Sequence, residues 1–204
     1  MRLTPQAPYV RKARQVHRTH VKQLPDESAD RTAVRPAQAD TESTATLLQQ
    51  LVLATGATAV VACGPAAVRR AASIACALRD NGGGRVVACV SDADQALDAS
   101  VMLETAGVAR YVDVLHGDIR QALRRLSGPV DLLVLGCPGE EHLPIFRAVE
   151  PRLLPGALIV AMGSQARGDR SHGESLVRFL SHDDGYVSLS LPLEGGVEVA
   201  VRAL

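Results

Sequence analysis

The sequence predicts an α/β protein built on a mostly parallel sheet that an antiparallel hairpin closes at one edge. Three observations carry that expectation. Short apolar runs alternate with stretches of helical periodicity five times after residue 41. The runs are apolar at nearly every position, as strands are when helices cover both faces of the sheet. Two further runs, Tyr186–Leu191 and Val197–Arg202, are joined by Pro192-Leu193-Glu194-Gly195-Gly196, which is a hairpin signal.

Each element follows in order. Leu47, Leu48, Leu51 and Val52 form a helical stripe, and Gly56 supplies a stop. The first strand is Thr58 to Cys63, rich in β-branched residues. A helix follows over about 66–79 and ends at Gly82-Gly83-Gly84. The second strand is Arg85 to Val90, with a helix over about 94–106 behind it. Tyr111 to Leu115 is the third strand and Ile119 to Leu126 a short helix. Val130 to Leu135 is the fourth strand, with a helix near His142 to Val149 leading into "PRLLPG". Ala157 to Ala161 makes the fifth strand and Glu174 to Leu180 the last helix.

A chain of 204 residues suffices for one well-buried domain and not for two ordinary ones. With 22 basic and 22 acidic residues, no global field draws it to nucleic acid or to a membrane. Aromatics make up 2% and Trp is absent, which disfavours base-stacking platforms and aromatic cages. No apolar stretch reaches the roughly 18 residues that span a bilayer, and no secretory leader is visible, so a cytoplasmic location is expected. Cys63, Cys76, Cys89 and Cys137 lie in apolar surroundings without CxxC spacing, as reduced, buried thiols do.

Residues 1–40 differ from the rest. From Met1 to Gln23 there are six basic residues and no acid, and Val10, Ala13, Val21 and Leu24 fall near one helical face. Pro25 ends that pattern, and residues 25–40 read as a polar linker. Such an arm is either a solvated helix or a lid or dimer arm over a cleft. The organisation expected is thus an arm and linker over 1–40 and one α/β domain over 41–204.

The landmarks of that domain resemble the class I methyltransferases that use S-adenosylmethionine. More narrowly, they resemble the small O-methyltransferases of the catechol and caffeoyl-CoA type. "LLQQLVLATGATAVVACG" is similar to that family's helix, first strand and glycine turn, and "GGRVVACVSDADQALDAS" to its second strand and helix. "AGVARYVDVLHGDIRQAL", "GPVDLLVLGCPGEEH" and "RLLPGALIVA" resemble the third, fourth and fifth strands in order. The resemblance spans residues 41–204 and implies a Rossmann-like methyltransferase fold: a seven-stranded sheet with its switch point beside strand one.

It also implies site residues. The family's turn after strand one, acid-x-Gly-x-x-x-Gly, lets backbone approach the methionine part of the cofactor. Here Gly64 is kept, while Ala62 and Val68 stand at the acid and the last glycine. The ribose-holding acid at the end of strand two falls on Val90, with Asp92 nearby as a substitute or as a helix N-cap. Asp118 matches the carboxylate that accepts from the adenine amino group, and the next amide, that of Ile119, meets the ring; Asp118 also suits an N-cap. The family's metal-ligand positions fall on Gly136, Met162 and Gly163, and its nearby lysine on about Gly139. None of these side chains supplies an oxygen ligand, so no metal is expected.

Other residues carry weaker signals. His142, next to Glu141, follows strand four on the catalytic side, as a general base or merely a solvated ring. His116 ends strand three, and Cys63, Cys89 and Cys137 lie near strand ends, yet their spacing fits no zinc pattern. Arg69 and Arg70 lie near the cofactor turn, as surface cations or anion ligands. A nicotinamide site would need G-x-G-x-x-G, which the turn lacks.

The function these signals imply is metal-free methylation of a small-molecule hydroxyl. Gly64, Asp92, Asp118 and Ile119 would hold S-adenosylmethionine, with His142 as base. The alternative is a degenerate member acting as a binding or dimerisation module. The partners implied are a small-molecule acceptor and, from the basic arm and the family habit, a second copy in a homodimer, with no nucleic acid and no membrane.

Overall fold

A computed structural model describes residues 36–163, 175–193 and 195–203. The basic arm and most of the linker expected over 1–40 lie outside these residues. α1 spans Pro36–Thr55, so the last five positions of the expected linker are already helical. Proline suits a first helical turn, where its missing amide hydrogen would have had no partner.

The chain then alternates: β1 (Ala59–Cys63), α2 (Pro65–Val68), α3 (Ala71–Asp80), β2 (Arg85–Val90), α4 (Ala93–Thr105) and β3 (Val112–His116). It continues with α5 (Ile119–Arg124), β4 (Val130–Leu135), α6 (Gly139–Val149), β5 (Leu153–Met162), α7 (Leu176–His182), β6 (Tyr186–Leu191) and β7 (Val197–Arg202). The seven strands form one sheet in the order β3-β2-β1-β4-β5-β7-β6. β7 runs antiparallel to both neighbours and the other pairs are parallel. This is the Rossmann-like arrangement expected from the sequence.

Alternation along the strands sends side chains to two separate cores. Val60, Ala62, Val86, Ala88, Leu132 and Val134 pack with α1, α3 and α4 through Leu48, Val52, Ile74, Leu78 and Leu103. Val61, Cys63, Leu133, Leu135 and Ile159 pack on the other face with Ile119, Leu123, Ile145, Phe146, Leu176 and Leu180 of α5, α6 and α7. Both faces are covered, which is why the central strands read as continuous apolar runs. Phe146 centres a ring cluster, 5.6 Å from both Phe179 and Tyr186.

Besides shifts of one or two residues at other ends, three departures from the sequence reading stand out. The single helix expected over 66–79 is broken into α2 and α3. The Arg70 amide bonds back three residues to the Ala67 carbonyl at 3.0 Å, a tight turn that ends α2 and reorients the chain. β5 begins at Leu153 rather than Ala157, because Pro155 and Gly156 are carried within an irregular register against β4. α6 begins at Gly139, three residues before the expected start.

Candidate functional site

The strand order reverses between β1 and β4, and in open sheets ligands bind beyond the carboxyl ends of the strands at such a switch point. A cavity of about 600 Å³ opens at that end of the sheet, beyond β2 and β3 and beside α6. Ser91, just beyond β2, and Gly117, Asp118, Ile119 and Arg120, just beyond β3, form one wall. Glu140, Glu141, Pro144 and Ile145 of α6 form the other. Three carboxylates face one guanidinium group, so the lining carries excess negative charge.

Asp118 combines a helix cap with a place on the cavity wall. As N-cap of α5 its Oδ1 accepts the amide hydrogens of Arg120 at 2.9 Å and Gln121 at 3.2 Å. The side chain is exposed and lines the cavity, which leaves Oδ2 for a ligand's amino group. Ile119 is 7% exposed and belongs to the core below, so the cavity floor here is apolar.

Asp92 is differently placed. It caps α4 by accepting the Gln95 amide at 2.9 Å and does not line the cavity. Its neighbour Ser91 does, a residue the sequence reading passed over. The signal available was its position, the first after a strand on the ligand side of the sheet.

His142 is turned away from the cavity. α6 starts at Gly139, and successive helical positions point about 100° apart, so Glu141 lines the cavity while His142 lies inward. The ring is 2% exposed, with Nε2 2.9 Å from the Cys137 carbonyl oxygen. A carbonyl only accepts, so Nε2 donates. Burial holds the imidazole below its ordinary pKa, partly offset by this hydrogen bond and by Glu140. The ring therefore pins the β4–α6 turn.

Gly64 is also buried, at a φ of 89° that favours glycine. A Cβ there would lie 2.5 Å from the Cys137 nitrogen, and one on Gly136 would lie 2.2 Å from the Ala67 nitrogen. The turns after β1 and β4 are thus in direct backbone contact. Arg69 is exposed, whereas Arg70 is 4% exposed with Nη1 donating to the Ala66 carbonyl. Cys63 and Cys89 are register partners on β1 and β2, and both thiols are free and buried. The hydrogen bond with Cys89 and burial push the Cys63 thiol up, and burial pushes Cys137 up to about 12. His116 is exposed at the end of β3.

Among the described residues no three His, Cys, Asp or Glu side chains gather as a metal site, and no helix is long and apolar enough to cross a membrane.

An adenosyl cofactor fits this geometry at one end. A carboxylate, an adjacent backbone amide and an apolar floor suit the nucleoside part at Asp118 and Ile119. The turn at Gly64, where the amino-acid part would approach, is packed against Gly136 and Cys137.

Comparisons with known proteins agree with the fold. Residues 61–161 match a family model described as a methyltransferase domain. A provisionally assigned O-methyltransferase from Klebsiella pneumoniae superposes with a TM-score of 0.70 at 17% identity, covering 85% of this chain and 92% of its own. The O-methyltransferase TomG of Streptomyces achromogenes, involved in tomaymycin synthesis and solved with S-adenosylmethionine, gives 0.67 at 18%, covering 84% and 91%. An O-methyltransferase from Bacillus cereus, solved with S-adenosylhomocysteine, gives 0.65 at 19%, covering 85% and 84%. No curated protein matches the sequence.

Proposed function

We propose that this chain, whose residues 61–161 match a methyltransferase domain and whose sheet has the Rossmann-like methyltransferase order, is an S-adenosylmethionine-dependent methyltransferase acting on a small-molecule hydroxyl without a metal ion. One observation supports the reading: the cavity beyond the carboxyl ends of β2 and β3 has Asp118 and Ile119 in its wall, on the side of the sheet where open α/β folds bind their ligands. When bound, S-adenosylmethionine supplies an already activated methyl group, so the protein's part is chiefly alignment.

The residues divide that work. Asp118 and Ile119 orient the adenine, and Ser91 offers a hydroxyl on the adjoining wall. Glu140 and Glu141 are the side chains of the α6 wall able to take a proton from an acceptor hydroxyl. His142 is a positioning residue that fixes the start of α6 through Cys137. Asp92 supports the site indirectly, by capping the helix that follows Ser91. That no side chain at Gly136, Met162 or Gly163 carries an oxygen ligand supports the metal-free reading.

A second reading, a binding module that keeps the fold without the transfer, is favoured by the contact between Gly64 and the Gly136–Cys137 turn. Calorimetric titration with S-adenosylhomocysteine tests the cofactor. We expect saturable heat; none up to about 1 mM, near −4 kcal/mol, would defeat the leading reading. Turnover of a hydroxylated acceptor then separates enzyme from module, and chelators are expected to leave it unchanged.

A further inference from the structure

The polar groups of the turn after β1 are committed to the chain itself. The Gly64 amide donates to the Cys89 carbonyl at 2.8 Å, the Ala66 amide to the Gly136 carbonyl at 3.1 Å, and the Gly136 amide to the Cys63 carbonyl at 2.7 Å. Pro65, between the first two, has no amide hydrogen to offer. α2 starts at Pro65, so no residue of loop separates Gly64 from the helix.

The space around the turn is filled from both faces of the sheet. Ala62, Val68 and Val90 are 0%, 2% and 1% exposed and share one core with Met162. A Cβ on Gly136 would lie 2.8 Å from the Met162 methyl carbon as well as 2.2 Å from the Ala67 nitrogen. On the other face lie the buried thiols of Cys63 and Cys89. The two glycines therefore serve close backbone packing and leave no cradle for a ligand.

An amino-acid group carries an ammonium and a carboxylate, and placing either in this packed, apolar turn would strip its hydration without a partner. We propose that the site recognises only the 5′-thioadenosine part of its ligand, at Asp118 and Ile119, and that the amino-acid part is not bound. The inference rests on the reading of this cavity as an adenosyl site and adds to it a ligand class: 5′-substituted thioadenosines, whatever the substituent.

The test compares S-adenosylhomocysteine with 5′-methylthioadenosine, which has the same nucleoside and sulfur but no amino acid, by calorimetry on the full chain. A hydrogen bond to a charged amino-acid group would favour S-adenosylhomocysteine by roughly 10- to 100-fold. The expected affinity ratio is below about fivefold, well short of one such bond. A larger ratio in favour of S-adenosylhomocysteine overturns this inference and leaves the cofactor reading standing. Failure of both ligands to bind overturns the cofactor reading and this inference with it.

Discussion

The carbonyl oxygen of Gly136 accepts the amide hydrogen of Ala66 at 3.1 Å, tying the turn after β1 to the turn after β4. The contact requires glycine at 136, because a Cβ there would lie 2.2 Å from the Ala67 nitrogen and 2.8 Å from the Ala66 carbonyl carbon. Gly136→Ala must therefore push two backbone turns apart and should cost about 2–4 kcal/mol. Gly139→Ala is the control: no atom lies within 4 Å of its added Cβ, and the position opens α6. That change should be neutral or stabilise by up to about 1 kcal/mol. Urea unfolding of both variants checks the pair, and equal stabilities would show that the turns can separate freely.

Asp118 caps a helix and lines the cavity, and the proposed binding role can be separated from the cap. Asp118→Ala removes the cap of α5 and should cost about 1 kcal/mol of stability. Asp118→Asn keeps a good cap and should change stability by less than about 0.5 kcal/mol. On the proposed reading, alanine weakens S-adenosylhomocysteine about tenfold or more, while asparagine, which still offers a carbonyl oxygen, weakens it less. Unchanged affinity in both variants would remove Asp118 from the binding site.

How much of this was legible in sequence depends on which forces set each feature. β2, β4, β6 and β7 fall on the predicted residues, because apolar runs bounded by glycine, proline or charge define strands locally. The break at Arg69–Arg70 was not visible, since nothing in "PAAVRRAAS" interrupts helical propensity, and the short α2 packs on its own against β1, β2 and β4. The inward turn of His142 was missed for a related reason. Its direction depends on where α6 starts, and the start at Gly139 placed Glu141, not His142, on the cavity wall. The cap at Asp118 was legible because an aspartate stands between a strand and a helix start, where it accepts the first amides of α5.

Buried His142 gives stability a definite dependence on pH. Burial lowers its folded pKa below the ordinary value of about 6.5. Below about pH 6.5 the unfolded chain takes up a proton that the folded protein resists, so the unfolded state binds more protons and stability falls. The contribution is present above the unfolded pKa and is lost as pH drops through the folded one. His142→Gln, whose amide can still donate to Cys137, should lose less stability between about pH 7.5 and about pH 5.5 than the parent protein. Parallel pH profiles would show that His142 does not titrate on unfolding.

The four thiols should divide by position when challenged with an alkylating reagent. The attacking form is the thiolate, which must be both formed and reached. Cys63, Cys89 and Cys137 are 0%, 1% and 7% exposed, and the Cys137 thiol is pushed up to about 12, so its thiolate is scarce at neutral pH. Cys76, on α3, is only partly buried at the margin of the core. Labelling of the native protein at neutral pH should therefore modify Cys76 first, with the other three following only as the protein unfolds. Peptide mapping by mass spectrometry reads the order. Early labelling of Cys63 or Cys137 would mean that the turns after β1 and β4 open in solution, which would also reopen the space beside Gly64 to a ligand's amino-acid end.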